Sequence, residues 1–232
     1  MSNNLNTIAF ITARKGSKRL KKKNIKIFKK KPLIYYSIRN SIESKLINHT
    51  IVSTDSKIIA KVSKKYGADV PFLRDKKLSG DKISTYRLIK NTISLYEKYY
   101  EKIFHLIIIL QPTSPLRKTH DIDKCILKLK QNPRFTSVVS VSKKINVFLN
   151  KNKIKKNNNK FFFPNSNKKT DKDKKDLFIN GSIYVIRRKN LKNDLLGKNI
   201  YPFKTHYFDS IDIDDIDDFK MAELIASKND VI

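Results

Sequence analysis

Thr12-Ala13-Arg14-Lys15-Gly16-Ser17-Lys18-Arg19-Leu20 follows directly on an apolar run, Ile8-Ala9-Phe10-Ile11. The run lacks the alternation of a half-exposed strand and predicts a short buried one. A polar loop leaving the carboxyl end of such a strand lies where open α/β sheets bind ligands. Backbone N–H groups around Gly16 and Ser17 can face phosphate oxygens, with charge supplied by Arg14 and the lysines up to Lys23. The plain alternative is a solvated basic loop. The second glycine of a Walker A loop and the three glycines of a dinucleotide fingerprint are missing, which argues against both of those ligand classes. A phosphate-rich ligand of another kind is implied.

Working outward, Pro32 sits in the expected first turn of a helix through Tyr35, Tyr36, Ile38 and Ile42. Thr50-Ile51-Val52-Ser53 reads as a strand, with Asp55 or Ser56 capping the helix that follows. Asp69-Val70-Pro71-Phe72-Leu73 reads as a third strand, and Asp81 as the cap of an amphipathic helix through Ile83, Leu88, Ile89, Ile93 and Tyr96. His105 to Leu110 is the most apolar strand and is predicted to be central. Asp121 to Leu129 reads as helix and Ser137 to Val141 as strand. Asn180-Gly181-Ser182 reads as a turn feeding a strand to Ile186, and the last helix runs from about Ile216 to Ala226. This alternation predicts an α/β, doubly wound, mostly parallel sheet in one domain over 1–232. The pattern lapses over 143–179, read as an inserted oligomerisation arm or flexible loop. Phe161-Phe162-Phe163 within it favours contact with a partner.

The formal net charge of +30 invites a nucleic-acid partner, yet only nine of the 51 basic residues are arginine. Phosphate and nucleic-acid recognition favours the arginine fork, so most of this charge reads as solvated surface, with no specific nucleic-acid partner. No apolar run approaches the ~20 residues of a membrane span, and Met1-Ser2-Asn3-Asn4 does not open like a signal peptide. The one cysteine, Cys125, excludes an internal disulfide and shares a helical face with Ile122, Ile126 and Leu129. A cytoplasmic protein is expected.

Six aspartates (209, 212, 214, 215, 217 and 218) crowd into ten residues of this basic chain. Extended backbone over Ile211 to Asp214 would put Asp212 and Asp214 on one face, a spacing suited to Mg²⁺ shared with substrate phosphates. Asp215, Asp217 and Asp218 read as acids favouring a helix N-terminus. A basic phosphate loop, a carboxylate pair and a doubly wound sheet together suggest nucleotidyl transfer.

Six motifs occur in order: Ala13 to Leu20 with Lys23-Asn24, Val52 to Asp55, Pro71 to Arg74, Gln111-Pro112-Thr113-Ser114-Pro115-Leu116-Arg117, Asn180 to Tyr184, and Ser210 to Asp214. Over about residues 7 to 225 the chain resembles the acylneuraminate cytidylyltransferases, the CMP-sialic acid synthetases and their legionaminate and pseudaminate relatives. The resemblance implies a nucleotide-diphospho-sugar transferase-like fold and a homodimer formed through the insertion. It implies Mg²⁺-dependent reaction of CTP with a nine-carbon 2-keto acid sugar, giving the CMP-sugar and pyrophosphate. It also implies that Arg14, Ser17 and Lys23 hold the triphosphate and that Asn24, Arg74 and Thr85 lie at the cytidine. Gln111 and Tyr184 would meet the sugar. Asp212 and Asp214 would hold the metal, with Asp214 helping to deprotonate the attacking hydroxyl. The chain departs from the family at Lys168-Lys169-Thr170, where an arginine pairs the sugar carboxylate, at Leu195-Leu196 in place of two phenylalanines, and at Ser182 in place of alanine. Another acid sugar, such as 3-deoxy-octulosonate, is the alternative substrate. A basic nucleic-acid-binding protein on the same fold is a further one.

Overall fold

The computed structural model describes residues 5–143, 177–192 and 194–228. Strand β1, Thr7–Thr12, is followed by a two-residue ladder of β2, Ile27–Phe28, and β3, Lys31–Pro32, and then by helix α1, Leu33–Glu43. Next come β4, His49–Ser53, α2, Lys57–Lys65, α3, Thr85–Tyr100, β5, Leu106–Leu110, and α4, Thr119–Gln131. The chain continues with β6, Ser137–Lys143, β7, Leu177–Arg187, β8, Ile200–Lys204, and α5, Ile216–Lys228.

The main sheet has six strands in the order β4-β1-β5-β7-β6-β8. All pairings are parallel except the two made by β7. The predicted doubly wound, mostly parallel sheet is therefore present. From β1 the chain passes to β4 on one side and then crosses to β5 on the other, which puts the switch point between β1 and β5. The carboxyl ends of those two strands carry the cation loop and the Gln111–Arg117 segment.

Side-chain alternation explains why both faces are covered. On β1 and β5, Ala9, Ile11, Leu106, Ile108 and Leu110 enter one core with Ile34, Ile38, Ile122, Cys125 and Ile126 of α1 and α4. Ile8, Phe10, Ile107 and Ile109 enter the opposite core with Leu88, Ile89, Ile93 and Tyr96 of α3. A third cluster joins α1 and α5 and holds Leu20, Leu116 and Ile213, one residue from each of three loops.

Several expectations are corrected. Asp69 to Leu73 is not a strand: only Asp69 bridges Ile51, and Pro71 has no N–H to extend a ladder. Pro32 is the N-cap of α1, in extended conformation, rather than a first-turn residue. Ser84, whose hydroxyl accepts from the Arg87 N–H, caps α3 in place of Asp81. Strand β8 has no counterpart in the sequence reading, because Pro202 disguises it; proline is tolerated there since β8 is an edge strand. The Asn180-Gly181-Ser182 turn is a wide bulge inside β7, where Ile179 and Tyr184 lie opposite Val141 and Val139. Gly181, at φ +78°, takes a conformation that favours glycine there. Pairing of β6 with β7 runs out to Lys143 and Leu177; Phe161 to Phe163 and Lys168 to Thr170 lie outside the described residues.

The third cluster gives a direct test. Replacing the fully buried Ile213 by alanine is expected to cost about 2–5 kcal/mol, read as a lower urea midpoint with unchanged slope.

Candidate active site

A cleft of about 570 Å³ opens over the carboxyl ends of β1 and β5, within the usual size range for a small-molecule site. Its walls include Arg14, Ser17, Lys23, Asn24, Arg74, Thr85, Gln111 and Asp214, eight of the ten residues singled out from sequence. Tyr184 and Asp212 stand beside it. The Tyr184 hydroxyl and Gln111 Oε1 each lie 3.9 Å from the place a side chain on Gly181 would start. The Asp212 carboxylate is close enough to Lys23 and Tyr184 for its charge to be felt at both.

The cation loop is held from three sides. The Lys15 N–H donates to Asp55 Oδ1 at 2.7 Å, which leaves Ser56 to cap α2 through the Ile59 N–H. Asn24 is buried and donates Nδ2 to the Arg14 carbonyl at 3.0 Å, fixing the backbone where the loop turns into the cleft. Asp81, which follows the Lys76–Leu78 3₁₀ turn, accepts from both Arg14 and Lys18, and those two bonds hold its carboxyl below the usual carboxylate range. Gly16 takes no positive φ, and a methyl group there would meet no atom within 4 Å. The fold itself does not require that glycine.

Opposite the loop, Ile213 is buried while Asp212 and Asp214 face outward. The expected alternation holds although the segment belongs to no strand. The Ile213 N–H donates to the Thr113 carbonyl at 2.8 Å, which ties the acidic segment to the loop after β5. Asp214 accepts from Arg19 Nη2 at 2.6 Å and from Lys23 Nζ at 3.2 Å, and Lys23 also donates to the Ile213 carbonyl at 2.8 Å. Desolvation raises the Asp212 carboxyl above the usual range, and the neighbouring Asp214 charge adds to the shift. Asp215 and Asp218 cap the start of α5 reciprocally, as read from sequence: Asp215 Oδ1 accepts from the Asp217 and Asp218 N–H groups, and Asp218 Oδ2 from those of Asp214 and Asp215.

Arg74 donates Nε to Ser53 Oγ at 3.1 Å and Nη2 to the Ser53 carbonyl, while its own N–H donates to the Thr54 carbonyl at 2.7 Å. Burial lowers its guanidinium, which remains on the cleft wall. Thr85 opens α3 with its side chain on that wall. Burial raises the Tyr184 phenol to about 12, with a further push from Asp212, so it stays protonated and can donate a hydrogen bond. Leu195 and Leu196 pack beside Tyr184 against the α3 side of the core.

Sequence reasoning gave Arg19 and Arg117 no role of their own and read Asp81 only as a helix cap. Arg19 and Asp81 are the carboxylate and cation partners described above; on a lysine-rich loop and before a helix, neither carried a distinguishing signal. Arg117 is only 3% exposed, and burial lowers its guanidinium to about 9, still charged at neutral pH. Its position in the Gln111–Arg117 motif was visible, but not its burial.

The comparisons agree with this geometry. Residues 8–231 match the family described as Cytidylyltransferase. The chain is 35% identical over 224 residues to a CMP-N,N′-diacetyllegionaminic acid synthase of Campylobacter jejuni, covering 94% of each protein. It is 30% identical to an N-acylneuraminate cytidylyltransferase of Escherichia coli, covering 95% of this chain and 52% of the relative. In fold it is similar to a CMP:2-keto-3-deoxy-manno-octonic acid synthetase solved with CTP, at a TM-score of 0.69 and 16% identity, over 96% of this chain and 99% of that one. With the cation loop, the Gln111–Arg117 segment and Asp214 meeting at one cleft, and a family match along nearly the whole chain, this protein belongs to the cytidylyltransferase family.

Proposed function

We propose that the chain joins CMP from CTP to a nonulosonic acid, a nine-carbon 2-keto acid sugar, and releases pyrophosphate. The observation that carries this is the single cleft where cations of the first loop confront Asp214, with Gln111 on the same wall. Arg14, Ser17 and Lys23 take the triphosphate; Asn24, Arg74 and Thr85 take the cytidine; Gln111 and Tyr184 take the sugar. The anomeric hydroxyl attacks the α-phosphorus, a new P–O bond forms, and the bond to pyrophosphate breaks. In-line displacement of this kind needs positioning and neutralised charge rather than a covalent intermediate. The reading carries with it a cytoplasmic homodimer with no specific nucleic-acid partner. Among the described residues no helix is long and apolar enough to cross a membrane.

The residues fit Mg²⁺. No group of three His, Cys, Asp or Glu side chains among the described residues is placed to hold a metal by itself. Mg²⁺, however, commonly takes one or two carboxylates and completes its shell with water and phosphate oxygens. Asp212 and Asp214 would supply hard carboxylate oxygens, and bound there Mg²⁺ would neutralise charge on the triphosphate. Asp214 would help to deprotonate the attacking hydroxyl.

Relatives matched along nearly their whole length include a legionaminate enzyme, which supports a nonulosonic acid over 3-deoxy-octulosonate. The experiment is pyrophosphate release with CTP, Mg²⁺ and, in turn, N-acetylneuraminic, N,N′-diacetyllegionaminic, pseudaminic and 3-deoxy-octulosonic acids. Turnover with one of the first three is expected; turnover with the last alone, or with none, would overturn the reading. Asp212→Asn is expected to lower kcat at least a hundredfold with the melting temperature unchanged, and wild-type turnover would remove Asp212 from the chemistry. Gly16→Ala is expected to leave stability within about 0.5 kcal/mol while raising the KM for CTP several-fold, since its methyl group would project into the cleft.

A further inference from the structure

Arg117 is a buried cation whose hydrogen-bond partners are all uncharged. Nε donates to the Ser182 carbonyl at 2.7 Å and to Ser182 Oγ at 3.2 Å. Nη1 donates to Ser37 Oγ at 3.0 Å, and Nη2 to the Gln111 carbonyl at 2.8 Å. Ser37 Oγ in turn donates to that same Gln111 carbonyl at 2.9 Å. The Gln111 backbone is thus gripped twice, by Arg117 directly and by Arg117 through Ser37. Ser37 and Ser182 are themselves buried, so the network is sealed from water.

Burying a guanidinium without a hydrogen-bonded carboxylate is costly, the Asp212 charge offsets part of that cost, and replacing such a group by an apolar one is often neutral or stabilising. A purely structural task at this place would not need a charge. The planar fork does something an apolar side chain cannot: it spans three separate segments at fixed angles. These segments are α1 through Ser37, the loop after β5 through Gln111, and the β7 bulge through Ser182. The bulge is fixed further by Asn180, which accepts from the Ser182 N–H at 3.1 Å and from Ser140 Oγ at 2.6 Å, and donates to Thr205 Oγ1 at 2.9 Å. Gly181 brings the bulge up to Gln111 Oε1 and the Tyr184 hydroxyl. None of the residues read as nucleotide contacts is bonded to Arg117.

We propose that Arg117 is a positioning residue for the acceptor half of the site alone, setting Gln111 and the Gly181–Tyr184 bulge in register from behind while leaving the CTP half untouched. The inference rests on the proposed function, since it takes Gln111 and Tyr184 as the sugar contacts. In this chain Ser182 adds a hydroxyl acceptor to the carbonyl that the backbone already offers.

The test is two-substrate kinetics on the full chain, with CTP and the acceptor that turns over fastest in the panel above, for Ser37→Ala, Arg117→Lys and Gln111→Ala. Ser37→Ala removes one of the two grips on Gln111 and is expected to raise the acceptor KM about threefold. Arg117→Lys replaces the fork with a single point charge and is expected to raise it tenfold or more. In both, the KM for CTP stays within twofold of wild type. General loosening would move both constants together, and that result overturns the proposal. Should Arg117→Lys not fold, Ser37→Ala decides the matter alone. Gln111→Ala separates the two levels. If it leaves the acceptor KM unchanged, Gln111 is not a sugar contact and both readings fall. If it raises that KM while Ser37→Ala and Arg117→Lys do not, only the positioning role falls.

Discussion

The burial of Ile213 in one cluster with Leu20 and Leu116 is the constraint on which the site depends. Leu20 ends the cation loop, Leu116 lies in the loop after β5, and Ile213 separates the two outward-facing aspartates. Each is a hydrophobic anchor next to charged residues that would otherwise stay apart in water. Removing these side chains from water stabilises the assembly by roughly 1.5–3 kcal/mol apiece. The polar site is therefore held in place by its apolar underside. The two main cores, one on each face of the sheet, supply the platform to which this third cluster is attached.

Electrostatics finishes what packing begins. In a chain of net charge +30, the cleft is where carboxylates concentrate against cations. Asp81 answers Arg14 and Lys18 on one side, and Asp214 answers Arg19 and Lys23 on the other. Exposed pairs of this kind contribute little to stability, because water screens them and the long side chains lose freedom. Their value lies in direction: they aim flexible cations into the cleft, where a polyphosphate can meet them without the loop first having to organise. Asp212 stands outside both pairs.

What the sequence made legible follows from how local each signal was. β1 and β5 were readable because two-sided burial demands uninterrupted apolar runs. The outward projection of Asp212 and Asp214 was readable because period-two alternation holds in any extended segment, strand or not. Asp81 was misread because an aspartate shortly before an amphipathic helix matches a cap pattern, whereas Ser84 sits at the actual boundary; the partners that claim Asp81 lie more than sixty residues away in the chain. β8 was hidden by a proline that only its edge position excuses. Asp69 to Leu73 failed in the opposite sense: its composition suits a strand, but Pro71 removes the donor that a ladder needs. Arg117 could be located but not interpreted, since nothing in a linear motif tells a buried fork from an exposed one.

The distribution of arginine among so many lysines points the same way. Lys18 meets Asp81 as a compact point charge. At four arginines the planar fork holds several acceptors at once. Arg188 grips both oxygens of Glu97, at 3.0 and 3.1 Å. Arg187 collects the carbonyls of Leu129, Asn132 and Phe135, closing the end of α4 against the sheet. Arg74 clasps Ser53 at the end of β4, and Arg117 ties three segments behind the cleft. Among the described residues seven of the nine arginines are committed to the protein's own backbone and side chains, and Arg14, Arg19 and Arg74 stand on the walls of one cleft that Arg117 supports from behind.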